Sequence, residues 1–157
     1  MRFAVPALLL LSFIGPAIPA ADVKFERVWP EWRDTDSFMS ISEYFTGKEA
    51  TGGWKVIRTH KESRAGYYFL VRVKNAGPAA NGASFVLQVI TPVSGDPKTY
   101  RFAVNVVPGN HVFEIGLTGV DWSGRSEHPV AWKVELVDAA GHTMAEKSSF
   151  LWEKPEK

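Results

Sequence analysis

Residues 67–75 alternate: Tyr67, Phe69, Val71 and Val73 fall on one face, Arg72 and Lys74 on the other. A period of two is that of a β-strand with one face in a core. The period returns at Tyr100, Phe102, Val104 and Val106, and again at Val130, Trp132, Val134 and Leu136, where Lys133 and Glu135 point outward. Residues 85–91 are apolar on both faces and read as a central strand. Residues 54–60, 112–117 and 143–152 complete a set of about seven strands. Turn chemistry separates them: residues 61–66, Asn75-Ala76-Gly77-Pro78, Ser94-Gly95-Asp96-Pro97, Pro108-Gly109-Asn110 and residues 138–142. Short strands at regular spacing predict an all-β, antiparallel sandwich, with a closed barrel as the alternative.

The segment before this body has a different pattern. Val23, Phe25 and Trp29 suggest a short strand, which Pro30 either ends or confines to a sheet edge. A short helix is expected over residues 36–46. Asp36 would cap it, Gly47 would close it, and Phe38, Ile41 and Phe45 would lie on the body at helical spacing. Residues 21–53 thus form a lead with one strand and one helix, and residues 54–157 form the body of the same domain.

Residues 1–20 read as an export signal. Arg2 is followed by an apolar run over residues 4–14, a Gly15-Pro16 break, and small residues at Ala17, Ala20 and Ala21. The run is shorter than the about 20 residues that cross a bilayer. Cleavage is expected after Ala20, with Ala17 and Ala21 as alternatives. Export would leave a soluble domain in the periplasm or outside the cell, with no membrane anchor.

Charge and cysteine usage narrow the functions. The chain holds 18 Lys plus Arg against 17 Asp plus Glu, and without Arg2 the balance is even. No long basic run exists, so neither nucleic acid nor an anionic membrane surface is an expected partner. There is no cysteine. Lipid attachment at a lipobox, thiol catalysis and thiolate metal sites all need one.

A resemblance appears in two stretches. Phe69-Leu70-Val71-Arg72-Val73-Lys74-Asn75-Ala76-Gly77-Pro78 resembles the second-strand signature of secreted bacterial immunoglobulin-like modules. Pro108-Gly109-Asn110-His111-Val112-Phe113 is similar to their later Pro-Gly turn. The pattern spans residues 67–152. The resemblance implies an immunoglobulin-like sandwich and a role in adhesion or scaffolding. It carries over no functional residue, and the helix of the lead is not part of the common module.

No catalytic motif is present: no Gly-x-Ser-x-Gly, no phosphate loop, no His-Glu-x-x-His. His60, His111, His128 and His142 are scattered without chelating spacing. Asp121, Glu127 and His128 share a loop, but a calcium loop needs more oxygens at alternate positions. Asp121, Glu127 and Glu135 form no glycosidase signature. No cofactor and no metal is expected.

The tryptophans are the remaining signal. Trp132 alternates into the core, and Trp152 falls at core or rim. Trp29 and Trp32 flank Pro30-Glu31, and Trp54 follows Gly52-Gly53. Trp122 stands mid-loop among small and polar residues. It either offers a flat face to a ligand or folds back to plug the end of the sandwich. The candidate binding residues are Asp121, Trp122, Arg125, Glu127 and His128, all in the loop over residues 118–129. The expected function is a non-enzymatic interaction module of the cell envelope with a protein or glycan partner. A carbohydrate-binding protein using exposed tryptophans and a small hydrolase are the alternatives.

Overall fold

The computed structural model describes residues 22–49, 51–122 and 124–152. The expected leader, residues 1–20, and the charged tail, residues 154–157, lie outside the described residues. Eight strands form among them: β1 (Val23–Arg33), β2 (Lys55–Arg58), β3 (Gly66–Asn75), β4 (Ala80–Thr91), β5 (Ser94–Val106), β6 (Gly109–Thr118), β7 (Ala131–Val137) and β8 (Thr143–Ser148). They make two four-stranded sheets, ordered β1-β3-β6-β2 and β5-β4-β7-β8. Every neighbouring pair is antiparallel except β2 and β6. The protein is therefore mostly β, in two facing, largely antiparallel sheets.

The alternation places the core. Phe69, Val71 and Val73 of β3 are fully buried, with Phe85 and Leu87 of β4 and Val134 and Leu136 of β7 opposite them. Arg72 and Lys74 are exposed as expected. β4 lies between β5 and β7, hydrogen-bonded along both edges, the interior position expected for it. Val130 departs from the expectation: it is 45% exposed. β7 begins one residue later, where Ala131 pairs with Ile90, so the inward series is Trp132, Val134 and Leu136 alone.

The lead strand runs through Pro30, which pairs with Phe69. β1 is an edge strand, where the missing proline N–H costs no ladder bond. The helix is shorter than expected. Asp36 opens a separate 3-10 turn (Asp36–Phe38), and α1 (Ile41–Thr46) starts afresh. Its cap is Ser40, whose hydroxyl accepts from the Glu43 N–H at 3.2 Å. Ser40-Ile41-Ser42-Glu43 has the Ser-x-x-Glu spacing of a capping box, a local signal stronger than Asp36. Gly47 closes α1 at φ 65° as expected.

The restart changes which aromatic meets the body. Phe38 is buried, 4.8 Å from the Tyr68 ring, whereas Phe45 is 81% exposed. The Ile41 side chain, expected on the same face, lies outside what is described. Phe38, Tyr68 and Leu70 form a second apolar cluster on the outer face of the first sheet, with Trp29 and Val56 against it. Phe38→Ala is expected to destabilise by about 3–5 kcal/mol. Phe45→Ala should stay within about 0.5 kcal/mol of the parent. Thermal melting of the two variants checks this.

Candidate binding cleft at one end of the sandwich

The loop after β6 folds back on the core. Gly119 adopts φ 59°, a left-handed conformation that glycine enters without Cβ strain. A 3-10 turn (Gly119–Asp121) follows, and the Trp122 N–H donates to the Gly119 carbonyl at 3.3 Å. This reversal carries the indole onto Tyr67, ring centroids 4.8 Å apart. Trp122 is 4% exposed and belongs to the main core. Of the two readings that the sequence leaves open, the indole folds back and plugs this end of the sandwich: burying a large aromatic against another outweighs leaving it in water.

Its loop neighbours separate. Asp121 is half-buried and lies 3.0 Å from His60 Nε2. The Asp121 carboxylate also lies near the Tyr100 hydroxyl. Burial first, then that carboxylate, holds the Tyr100 hydroxyl above its ordinary pKa. Exposed Arg125 lies close enough to help lower the Asp34 pKa, after the larger effect of hydrogen bonds from Ser37. Exposed His128 presents its ring at 5.9 Å to Tyr67, edge to face. Glu127 is half-buried, its backbone N–H in a turn to Gly124. Trp122 and His128 thus converge on Tyr67, Asp121 turns toward His60, and Arg125 reaches toward the end of β1.

A cleft of about 470 Å³ opens at this end of the first sheet. Trp32, Thr35, Glu62, Ser63, Arg64, Ala65, Gly119 and Trp122 line it. Trp32 is the penultimate residue of β1, residues 62–65 join β2 to β3, and Gly119 and Trp122 follow β6. These loops are stitched together. The Thr118 hydroxyl accepts from the His60 N–H and donates to the His60 carbonyl, each at 3.0 Å. The Thr118 N–H donates to the Thr59 hydroxyl at 3.0 Å. A Cβ on Gly66 would stand 2.3 Å from the Leu117 carbonyl oxygen, so only glycine allows β3 to start this close to β6. The walls are accordingly preorganised.

Trp122 also carries an unmet donor that is shut away from solvent. The Trp122 indole N–H is buried and has no hydrogen-bond partner among the described residues. A buried donor without an acceptor costs about 1–3 kcal/mol. The neighbouring His60 has its Nε2 3.0 Å from Asp121, while its Nδ1 lies 3.7 Å from Glu62, beyond hydrogen-bond distance. Among the described residues no group of three or more His, Asp or Glu is placed to hold a metal ion.

A second groove, of about 430 Å³, runs beneath the lead on the outer sheet face. Arg33, Glu49 and Glu114 in its lining belong to a charge network absent from the sequence-derived candidates. Arg33 binds Glu114 and, at 2.9 Å, Glu31. Arg58 binds Glu49 and donates to the Tyr68 hydroxyl at 2.7 Å. The Tyr68 hydroxyl in turn donates a hydrogen bond to the Arg64 carbonyl at 2.6 Å, and Arg64 binds Glu43. The Arg33 and Arg58 guanidiniums lie 5.4 and 4.7 Å from the Phe38 ring centre. The sequence signal was a single acid, Glu114, inside the apolar strand over residues 112–117.

The network sets a pH dependence. Burial pushes the Glu114 carboxyl above its usual range, although Arg33 and Arg58 pull it down. Its contribution to stability is therefore full below the unfolded value and declines as pH rises through the folded one. Hydrogen bonds from Arg58 hold Glu49 low, so its contribution is present above the unfolded value and declines as pH falls through the folded one. Melting from about pH 2.5 to 8 should show Glu114→Gln gaining on the parent as pH rises above the usual carboxylate range, and Glu49→Gln losing ground as pH rises through the acid range below it. Parallel Tm curves for parent and variants would contradict both assignments.

Trp32, Thr35, Ser63 and Arg64 were not among the residues expected from sequence to line a site. They belong to different turns, and only the pairing of β1, β3 and β6 brings those turns together. Compared with known proteins, the chain matches no protein-family model and no curated protein.

Proposed function

We propose that this chain is an exported, non-enzymatic recognition module of the immunoglobulin-like kind, binding a cell-envelope partner in the cleft between Trp32 and Trp122. The leader pattern of residues 1–20 supports export. Connectivity supports the immunoglobulin-like reading. β4-β5 and β7-β8 are hairpins within one sheet, while β3 to β4, β5 to β6 and β6 to β7 pass between sheets. β1, β3 and β6 then stand as strands A, B and E, and the other sheet as C′, C, F and G. β2 occupies the place of D, but it precedes B in the chain and runs parallel to β6. A fold of this kind presents its end loops to partners.

The observation that carries the reading is the cleft itself, lined by Trp32 and Trp122 and held in shape by the hydrogen bonds that tie Thr59 and His60 to Thr118.

Indole N–H signals of nitrogen-15-labelled protein test it, with Trp32→Phe and Trp122→Phe used for assignment. Envelope fractions containing the partner should move the Trp32 and Trp122 signals. Thr35→Arg, at the exposed rim, should abolish the change. Movement confined to other tryptophans, or unaffected by Thr35→Arg, would place recognition elsewhere.

A further inference from the structure

We infer that the outer face of the first sheet docks on an anionic lipid bilayer, through a square of cations, Lys24, Arg27, Arg72 and Lys74, bordered by Met39 and Trp54. This surface is distinct from the cleft, and the inference does not rest on it.

The sequence holds no long basic run; strand pairing assembles the patch instead. Lys24 lies opposite Lys74, and Arg27 opposite Arg72, on neighbouring antiparallel strands. Phe25, Val28, Val71 and Val73 pack in the main core, so the four cations share the opposite, outer face. All four are exposed. A bulge sets the arrangement. Phe25 pairs with Val73, so a regular ladder would put Glu26 opposite Arg72; the extra residue puts Arg27 there and leaves Glu26 out of the ladder.

Nothing in the chain neutralises the square. Among the described residues none of the four side chains is in an ion pair, with Asp22 and Glu26 or with any other acid. Arg27 rests its guanidinium on the Trp29 indole, 4.8 Å from the ring centre. Facing Cβ atoms stand about 5 Å apart and successive rows about 7 Å apart. Like charges opposed at that distance disfavour a sheet, and anions brought to the face relieve the repulsion.

Apolar side chains border the square. Arg72 pairs with Val112, and Trp54, one residue before β2, stands level with Val112 on the far side of β6. Met39 and Trp54 line the groove on this same face and are 57% and 41% exposed. A soluble acidic segment would neutralise the cations and leave Met39 and Trp54 in water. A bilayer of anionic lipids offers many phosphates in one plane and, beside them, an interface that favours indole rings and takes Met39 out of water.

The test mixes the folded protein with vesicles of phosphatidylglycerol and phosphatidylcholine in equal parts, and with vesicles of phosphatidylcholine alone. Co-sedimentation and tryptophan emission are followed together. Binding to the anionic vesicles alone is expected, with emission moving to shorter wavelength and affinity falling as salt rises. Arg72→Gln with Lys74→Gln should weaken binding about fivefold for each cation removed. The melting temperature of that variant should stay level or rise, because opposed like charges are gone. Met39→Gln should also weaken binding at an unchanged melting temperature. No binding, equal binding to both vesicles, or an affinity unchanged in the double variant would overturn the inference. A polyglutamate peptide bound as tightly as the anionic vesicles would make an acidic protein the partner and overturn it too.

Discussion

Val71→Asp is expected to abolish the folded state at 25 °C. Val71 is fully buried at the centre of β3, paired with Val28 on β1 and Phe113 on β6. Its side chain belongs to the main core, whereas exposed Arg72 faces the other way. An aspartate there would be a desolvated charge without a counter-ion, or a carboxylic acid without a partner. Either form costs several kcal/mol, against a typical total stability of about 5–15 kcal/mol. Near-ultraviolet circular dichroism should lose its aromatic signal, and heating should show no cooperative transition. A melt like that of the parent would mean that Tyr67, Phe69, Val71 and Val73 do not face the core.

That register was legible because it follows from one elementary rule. In a strand the side chains alternate, so a polar residue at every second position names the buried face. The rule works for β3 and β5, whose outer faces carry Arg72, Lys74, Arg101 and Asn105 in water. It stops working where something covers the outer face as well. Tyr68, Leu70 and Glu114 point away from the main core yet are buried, because Phe38 and the lead fold over them. No local pattern in β3 or β6 announces that cover. The helix of the lead was misread for a related reason: the spacing of Phe38, Ile41 and Phe45 suits one continuous helix, but Ser40 and Glu43 start a new one between the two aromatics.

The candidate site was legible in part. Its loop was identified by length and by an isolated tryptophan, and that loop does border a cleft. The opposing wall was not legible, because Trp32, Thr35 and Ser63 are separated from Trp122 by most of the first sheet's connectivity. The fate of Trp122 was not legible either. A loop of small and polar residues suits an exposed tryptophan, and the position of Tyr67 decides the matter through contact at long sequence range.

Trp122→Ala is therefore expected to act first on stability. Removing a buried aromatic leaves a cavity beside Tyr67, and such losses cost about 3–5 kcal/mol. For a chain of this size each kcal/mol lowers Tm by about 2–4 °C, so a fall on the order of 10 °C is expected. Trp122→Phe should behave differently. It keeps a ring against Tyr67 and removes a buried donor that has no acceptor among the described residues, so the cavity loss is offset and the net change should stay within about 1 kcal/mol. The pair separates two roles of one residue. Packing fails in the alanine variant and survives in the phenylalanine variant, while the indole surface that lines the cleft is lost in both. Paired measurements of Tm and of ligand-induced Trp32 perturbation would distinguish them. A phenylalanine variant that binds as the parent does would leave Trp122 as a plug of the sandwich and nothing more.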